Sequence, residues 1–384
     1  MRTVALIVGV GVATHLLILC LFDPAAVAWR SQDAISYLQE ARALQSGIMP
    51  SLSRGLGYPL FLAAILPFGT AGALVGQSVI TIGSTVATYF LLGKDKLAFW
   101  TAILIASSPF LALFDFHTLS ETLYIELLWI GFLLLRRQQW LSSGVLVGFA
   151  AVVRDTLTLM PVALLPLAFK DRRYLLTASI ATALIAIAPH PSTRFGFNLW
   201  VGTWERNGSW YLHGLEHPRF PPYAFRRPGE KEAVARAWLK DDATMRRLAI
   251  ERIESSPGAT ALAWAERYPR LWIGTRSDSM TMRLASGSAA WYAIKSFFFA
   301  LNLGTLALGV AGLARRPGLF AIPVLYIALI YIPFHDCEPR YSLAALPFLY
   351  FYAADLCFGP NRLWKGGRNS AAGSSDAGAQ VIGA

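Results

Sequence analysis

Ala289-Ala290-Trp291-Tyr292-Ala293-Ile294-Lys295-Ser296-Phe297-Phe298-Phe299-Ala300-Leu301-Asn302-Leu303-Gly304-Thr305-Leu306-Ala307-Leu308-Gly309-Val310-Ala311-Gly312-Leu313 carries one charge, Lys295, and runs into the pair Arg315-Arg316. A helix needs roughly 20 predominantly apolar residues to cross a bilayer core, and this stretch exceeds that. Working outward, further apolar runs fall at Val4–Leu21, Tyr58–Leu92, Leu97–Leu113, Leu119–Leu135, Leu141–Val153, Thr156–Phe169, Tyr174–Ala188, Leu319–Phe334 and Tyr341–Phe358. Several are near or below the spanning length. Leu141–Val153 and Thr156–Phe169 read either as two short spans or as one re-entrant hairpin over 141–169.

Composition agrees with lipid as the solvent. The chain has 384 residues, of which 55% are hydrophobic and 15% charged, with mean hydropathy +0.46. Soluble domains carry about a quarter charged residues. Long disorder is excluded for most of so apolar a chain. The three cysteines, Cys20, Cys337 and Cys357, exclude a disulfide scaffold and read as packing residues. The class is an all-α polytopic membrane protein.

The net charge of +11 is distributed in clusters between the runs: Arg2, Lys94/Lys96, Arg136/Arg137, Lys170/Arg172/Arg173, Arg315/Arg316 and Arg362/Lys365/Arg368. No basic domain interleaved with aromatics is present, so nucleic acid is excluded as a partner. Basic clusters at the ends of apolar segments follow the positive-inside rule. With the N-terminus cytoplasmic and each run crossing once, every cluster falls on the cytoplasmic side. The expectation is ten transmembrane helices with both termini inside. Ala26-Val27-Ala28 mimics a signal-peptidase site, but the run before it is longer than a signal core, which favours a retained anchor.

This map divides the chain into an N-terminal membrane module (1–190), an extracytoplasmic helical loop domain (191–288), C-terminal membrane helices (289–358) and a disordered cytoplasmic tail (359–384). The first outer loop, 23–57, holds a juxtamembrane helix: Ala34, Tyr37, Leu38, Ala41 and Leu44 recur at helical spacing, Ser31 caps the start and Gly47 ends it. In the loop domain, Lys231–Leu239 and Ala243–Ser255 have amphipathic spacing, and Ser256-Pro257 opens a third helix reaching Ile273. Trp200, Trp204, Trp210 and Tyr211 suit headgroup anchoring or stacking on sugar rings.

Ionisable residues sort by face. The outer ends carry Asp33, Asp115, His117, Glu121, Arg154, Asp155, His190, His335, Asp336, Glu338 and Arg340. Such groups at membrane depth are costly unless they face a cavity or one another. Asp33, in the first turn of its helix, is either a general base at a cavity mouth or a stabiliser of that turn. His117 and Glu121 stand four apart, so as a helix they share a face with Tyr124, and a structural pair competes with a ligand-binding role. Two such residues without a third give no metal site. Arg154 and Arg340 have the guanidinium geometry that holds phosphate, the alternative being ion pairs with Asp155 or Glu338. Glu126 is deeper and reads as a buried hydrogen-bonding group.

The order of these features resembles the GT-C superfamily of polyprenyl-phosphate-sugar-dependent membrane glycosyltransferases, such as protein mannosyltransferases and lipid A aminoarabinose transferases. An anchor helix is followed by Asp33 with Tyr37, Ala41, Leu44 and Gly47. Gly57-Tyr58-Pro59-Leu60-Phe61-Leu62-Ala63, Leu119-Ser120-Glu121-Thr122-Leu123, Arg154 after Gly148, and Arg340-Tyr341 near Pro347 then come in turn. The similarity covers roughly Met1–Phe358. Asp33 lacks the adjacent second acid of the protein mannosyltransferases, and a distant bacterial member fits better than any named subfamily.

The resemblance implies a GT-C-like bundle with a small extracytoplasmic domain, in the cell inner membrane, its active site facing the periplasm. It implies an inverting transferase that moves a sugar from a polyprenyl-phosphate carrier, undecaprenyl in bacteria, to a hydroxyl on a glycan, lipid or protein of the cell envelope. Asp33 would be the general base, and Arg340 and Arg154 would hold the donor phosphate. Glu121, His117, Tyr37, Tyr58, Glu338 and His335 would bind acceptor or sugar. No cofactor or metal is implied. The competing readings are a transporter or flippase for lipid-linked sugars, which favours midplane polar groups and paired broken helices, and a non-catalytic assembly subunit.

Overall fold

The computed structural model describes residues 1–23, 32–50, 55–188, 195–203, 229–237, 241–273, 282–334 and 339–359. Helix α1 (Arg2–Leu21) leads to α2 (Gln32–Gln45), then to α3 (Gly57–Ile65) and α4 (Gly69–Leu92), joined by a 3-10 turn over Leu66–Phe68. Next come α5 (Lys96–Ala106), α6 (Pro109–Asp115), α7 (Glu121–Arg136), α8 (Trp140–Val153), α9 (Met160–Ala168) and α10 (Arg173–Ile187). The outer helices are α11 (Phe195–Gly202), α12 (Glu230–Ala237), α13 (Asp242–Ser255) and α14 (Pro257–Trp272). Then follow α15 (Ala289–Arg315), α16 (Ala321–Ile330) and α17 (Leu346–Phe358), the last entered through a 3-10 turn over Pro339–Ala345. Among the described residues there is no strand, only a bridge between Phe22 and Met282.

The chain is therefore all-α, with helices of membrane type. The expected ten crossings are corrected. Among the described residues, four helical stretches are long and apolar enough to span: Arg2–Leu21, Gly57–Leu92, Ala289–Arg315 and Pro339–Phe358. A fifth is reached if α5 and α6, bent by 51° at Ser107-Ser108, count as one. The other runs lose length to structure. α8 has 14 residues, α10 has 15 and α16 has 10, so a 10-residue helix covers about 15 Å against a core of about 30 Å. α7 has 16 residues and carries Glu121, Glu126 and Arg136.

α7 lies at the centre of the bundle. Trp129 and Phe132 pack edge-on against Phe348 of α17 at 5.0 and 5.5 Å, and Trp129 also meets Phe320. Trp129 is fully buried, so its indole N–H needs a partner; it donates to Thr88 Oγ1 of α4 at 2.7 Å. Glu126 accepts from Ser84 Oγ, also on α4. The break at Ser108 is satisfied locally: its hydroxyl accepts from Leu111 N and from Tyr350 Oη. Membrane-depth breaks persist only with such replacement partners.

One end of the bundle gathers basic residues from separate clusters. Arg137 donates from Nε to Leu91 O (2.6 Å) and from Nη2 to Phe90 O (3.1 Å), which caps α4. Arg136 lies over Phe320 and Phe351, Lys96 over Phe358, and Arg316 is 3.5 Å from Asp355. From this end α7 extends about 24 Å to Glu121, where the other set of charges begins.

α2 forms where its spacing predicts. Ala34, Tyr37 and Ala41 are buried, and Gly47 at φ +73° closes the helix, a conformation that favours glycine. In the outer helices Trp200 is fully buried with Phe197, Val234, Met245 and Ala249, which corrects its expected surface role. Asp242 accepts from Gly196 N and Phe197 N at the start of α11. Ser342 donates to Leu271 O and Asn302 to Trp272 O, tying α14 to the bundle. Cys20 and Cys357 are exposed rather than packed. Ser31, the Ala26–Ala28 stretch, Trp204, Trp210, Tyr211, His190, Cys337 and the tail from 360 lie outside the described residues.

Candidate functional site

At the end of the bundle opposite the basic rim, two carboxylate–guanidinium pairs from distant parts of the chain converge. Asp33, in the first turn of α2, has its Oδ2 3.7 Å from Arg340 Nη1. Glu121, the first residue of α7, has its Oε1 3.6 Å from Arg154 Nη1. Asp33 and Arg340 are about 15% exposed, whereas the Glu121 side chain is only 1% exposed. The first pair is partly open to solvent, whereas the carboxylate of the second is closed off.

Arg154 is set by backbone. α8 ends at Val153, and Arg154 turns extended at φ −138°, ψ 108° while its N–H still bonds Ala150 O. The chain at 55–57 passes directly over this corner. A Cβ on Gly57 would stand 2.6 Å from Val153 Cγ2, and one on Gly55 would strike Val152 O. Only glycine permits that approach.

Aromatic rings and a hydroxyl connect the two pairs. Ser120 Oγ accepts from Tyr37 Oη and Arg154 Nη1, each at 3.3 Å. The Arg154 guanidinium sits over Tyr124 at 5.7 Å and Tyr341 at 5.5 Å. Arg340 lies over Tyr341 at 5.0 Å and donates to its Oη at 3.0 Å. Tyr331 stacks on Tyr341 (4.9 Å, 11°) and donates to Thr156 Oγ1. Tyr37 meets Tyr58 edge-on at 4.8 Å, and Tyr58 Oη donates to Gln77 Oε1 at 2.6 Å.

The pair of residues four apart is corrected. His117 and Glu121 do not share a helix face, because α6 ends at Asp115 and α7 starts only at Glu121. Tight turns close Phe116 N on Leu113 O and His117 N on Phe114 O, and Tyr124 N to Ser120 O opens the new helix. His117 lies in the connection with its ring stacked on Phe114 at 5.2 Å. Burial, reinforced by the Arg340 charge, pushes its pKa down to about 3. A neutral imidazole is therefore the form present at ordinary pH.

Several buried polar atoms here have no hydrogen-bond partner among the described residues: His117 Nε2, Thr118 Oγ1, both Glu121 carboxylate oxygens and Tyr124 Oη. Buried polar atoms are normally satisfied, and a cluster of exceptions marks a place where a ligand's groups fit.

Of the sequence candidates, the structure brings together Asp33, Arg340, Arg154, Glu121, Tyr37, Tyr58 and His117. His335 and Glu338 lie outside the described residues. The pairs formed differ from those weighed from sequence: Arg154 meets Glu121, and Arg340 meets Asp33. Sequence reasoning passed over Gln77, Tyr331 and His15, whose signal was a polar residue within an apolar run, and quoted Ser120 in a motif without giving it a role. Among the described residues no three His, Cys, Asp or Glu side chains gather as a metal site. No family model, curated protein or solved structure matches this chain.

Proposed function

We propose that the protein is an inverting glycosyltransferase of the cell inner membrane, taking a sugar from a polyprenyl-phosphate carrier to a hydroxyl acceptor at its periplasmic face. The observation that carries this reading is the convergence of the Asp33–Arg340 and Glu121–Arg154 pairs on one tyrosine, Tyr341, over whose ring both guanidinium groups lie. Two guanidinium groups suit an anionic phosphate, which bridges them by charge-assisted hydrogen bonds. An apolar groove of about 380 Å³, lined by Ala163, Leu325, Tyr326, Leu329, Ile330 and Phe334, suits the carrier chain. Its Tyr326 donates to Thr156 O, and Thr156 Oγ1 accepts from Tyr331, so the groove leads to the aromatic wall beneath Arg340.

In this scheme the donor phosphate draws Arg340 toward itself, and the Asp33 carboxylate acts as the base. The acceptor O–H gives its proton to Asp33 as its oxygen attacks the anomeric carbon from the face opposite the phosphate. The bond from that carbon to the phosphate oxygen breaks, its electron pair stays on the phosphate, and the configuration inverts. Arg340 and Arg154 stabilise the charge growing on the leaving group. Glu121, His117 and Tyr124 offer unsatisfied groups to sugar hydroxyls, with Tyr37 and Tyr58 beside them.

The experiment is a transfer assay in lipid nanodiscs with polyprenyl-phosphate sugars and a membrane extract as acceptor source. Asp33→Asn should lower transfer by roughly 10²–10⁴-fold while the protein accumulates normally. An Asp33→Asn variant as active as the wild type overturns the assignment of the base.

A further inference from the structure

Behind the pocket, α1 contributes one polar side chain that the transfer scheme does not use. His15 is buried, its Nε2 lies 2.7 Å from Asp115 Oδ2, and its Nδ1 lies 2.8 Å from Gly11 O. A backbone carbonyl only accepts, so Nδ1 carries a hydrogen. A neutral imidazole protonated there presents a lone pair at Nε2. A carboxylate oxygen also presents lone pairs, and two acceptors do not sit 2.7 Å apart. A second proton must therefore lie between Nε2 and Oδ2. It belongs to an imidazolium facing a carboxylate or to a carboxylic acid facing an imidazole, and either form is neutral overall. Net neutrality suits a pair held on an apolar helix, where a lone charge is costly.

The other Asp115 atoms show what the pair holds. Oδ1 accepts from Thr81 Oγ1 of α4 at 3.0 Å and from Thr122 Oγ1 of α7 at 2.6 Å. The Asp115 carbonyl accepts from Gln77 Nε2, which also donates to His117 O. One carboxyl thus joins α1, α4 and α7 at both ends of the connection bearing His117 and Ser120.

We propose that His15 and Asp115 share one proton and act as a positioning pair, fixing the 115–122 segment that presents His117, Ser120 and Glu121 to the pocket. The proposal does not depend on sugar transfer. An asparagine at 115 keeps the frame without the proton: its amide N–H donates to His15 Nε2 and its oxygen still accepts from both threonines. A leucine removes every bond of the carboxyl and leaves only the backbone contact from Gln77.

The test uses the full chain in phosphatidylethanolamine–phosphatidylglycerol nanodiscs, with two measurements that need no turnover. The first is ¹⁵N NMR of labelled histidines, with His15 assigned by His15→Gln. In the wild type Nδ1 is protonated and Nε2 is bound to or shares a proton. In Asp115→Asn the Nε2 signal moves to that of an acceptor nitrogen while Nδ1 stays protonated. The second is amide exchange over residues 115–124. It should stay within about twofold of wild type in Asp115→Asn and rise about tenfold or more in Asp115→Leu, confined to that segment. Should Asp115→Leu fail to accumulate, Thr122→Val removes one donor and is expected to raise exchange over the same segment by a smaller factor. A wild-type His15 with Nδ1 unprotonated, or a Nε2 signal that neither Asp115→Asn nor Asp115→Leu moves, overturns the shared proton. Wild-type exchange in Asp115→Leu, or in Thr122→Val where that variant stands in, overturns the positioning role. So does exchange as fast in Asp115→Asn as in Asp115→Leu.

Discussion

Asp33 Oδ2 and Arg340 Nη1 lie 3.7 Å apart, although one belongs to the first amphipathic helix and the other to the turn that opens the last. Both side chains remain partly open to solvent, so the contact is one a ligand can exchange for its own. In the proposed reaction Arg340 leaves Asp33 for the donor phosphate. Arg340→Gln should therefore lower kcat by about 10²–10³-fold, the size of losing one donor to a developing anion. Arg340→Lys should recover only part of this, because a point charge replaces a planar fork. Steady-state transfer kinetics check both, and unchanged kcat in Arg340→Gln removes the residue from the phosphate site.

Arg154 differs because its partner is closed off from water. Glu121 is 1% exposed, and Arg154→Gln leaves that carboxylate buried without a cation. Breaking such a pair from one side costs about 3–5 kcal/mol. Pairing the change with Glu121→Gln should return much of the loss, since no charge then remains buried. Thermal unfolding of the single and double variants in detergent measures it, and additive destabilisation would show that the two side chains do not act as a pair.

Gly55→Ala is expected to be damaging although it adds only a methyl group. Its Cβ meets the Val152 carbonyl, a backbone atom that cannot rotate away. Overpacking of this kind costs about 1–3 kcal/mol. Because Val152 immediately precedes the corner that aims Arg154, binding of polyprenyl phosphate should weaken along with the melting temperature. Alanine at Gly258, where nothing lies within 4 Å, is the control and should leave both unchanged.

Trp200 serves as an internal anchor of the outer helices. Trp200→Ala removes the largest side chain of the cluster with Phe197, Val234 and Met245 and should cost about 3–5 kcal/mol. Amide exchange should rise in α11 and α13 and stay unchanged in α7. A uniform rise across both would mean that the outer helices and the bundle unfold as one unit.

How much of this was legible in the sequence follows from which forces act locally. The juxtamembrane helix was legible because Ala34, Tyr37 and Ala41 repeat at helical spacing and Gly47 stops it, all within one short segment. That Asp33, His117, Glu121, Arg154 and Arg340 lie at one end was legible from their positions between apolar runs. The crossings were overcounted because hydropathy does not register a helix break: Ser108 and Pro109 bend one run, and the runs around α8, α10 and α16 yield helices too short to span. The pairings escaped for a different reason. Asp155 and Glu338 were the nearest acids in sequence to Arg154 and Arg340, whereas tertiary packing supplies Glu121 and Asp33. Trp200 shows the same limit, since an aromatic near the membrane surface reads alike whether it faces lipid or a small core.

The most direct measurement is mass spectrometry of the lipid that stays bound when the full chain is purified from membranes in mild detergent. Polyprenyl phosphate or its sugar-bearing form should be retained by the wild type and by Asp33→Asn, and lost when Arg154 and Arg340 are both replaced by glutamine. Absence of any polyprenyl phosphate from the wild type, or equal retention by the doubly substituted protein, would contradict a donor-phosphate pocket built on those two arginines.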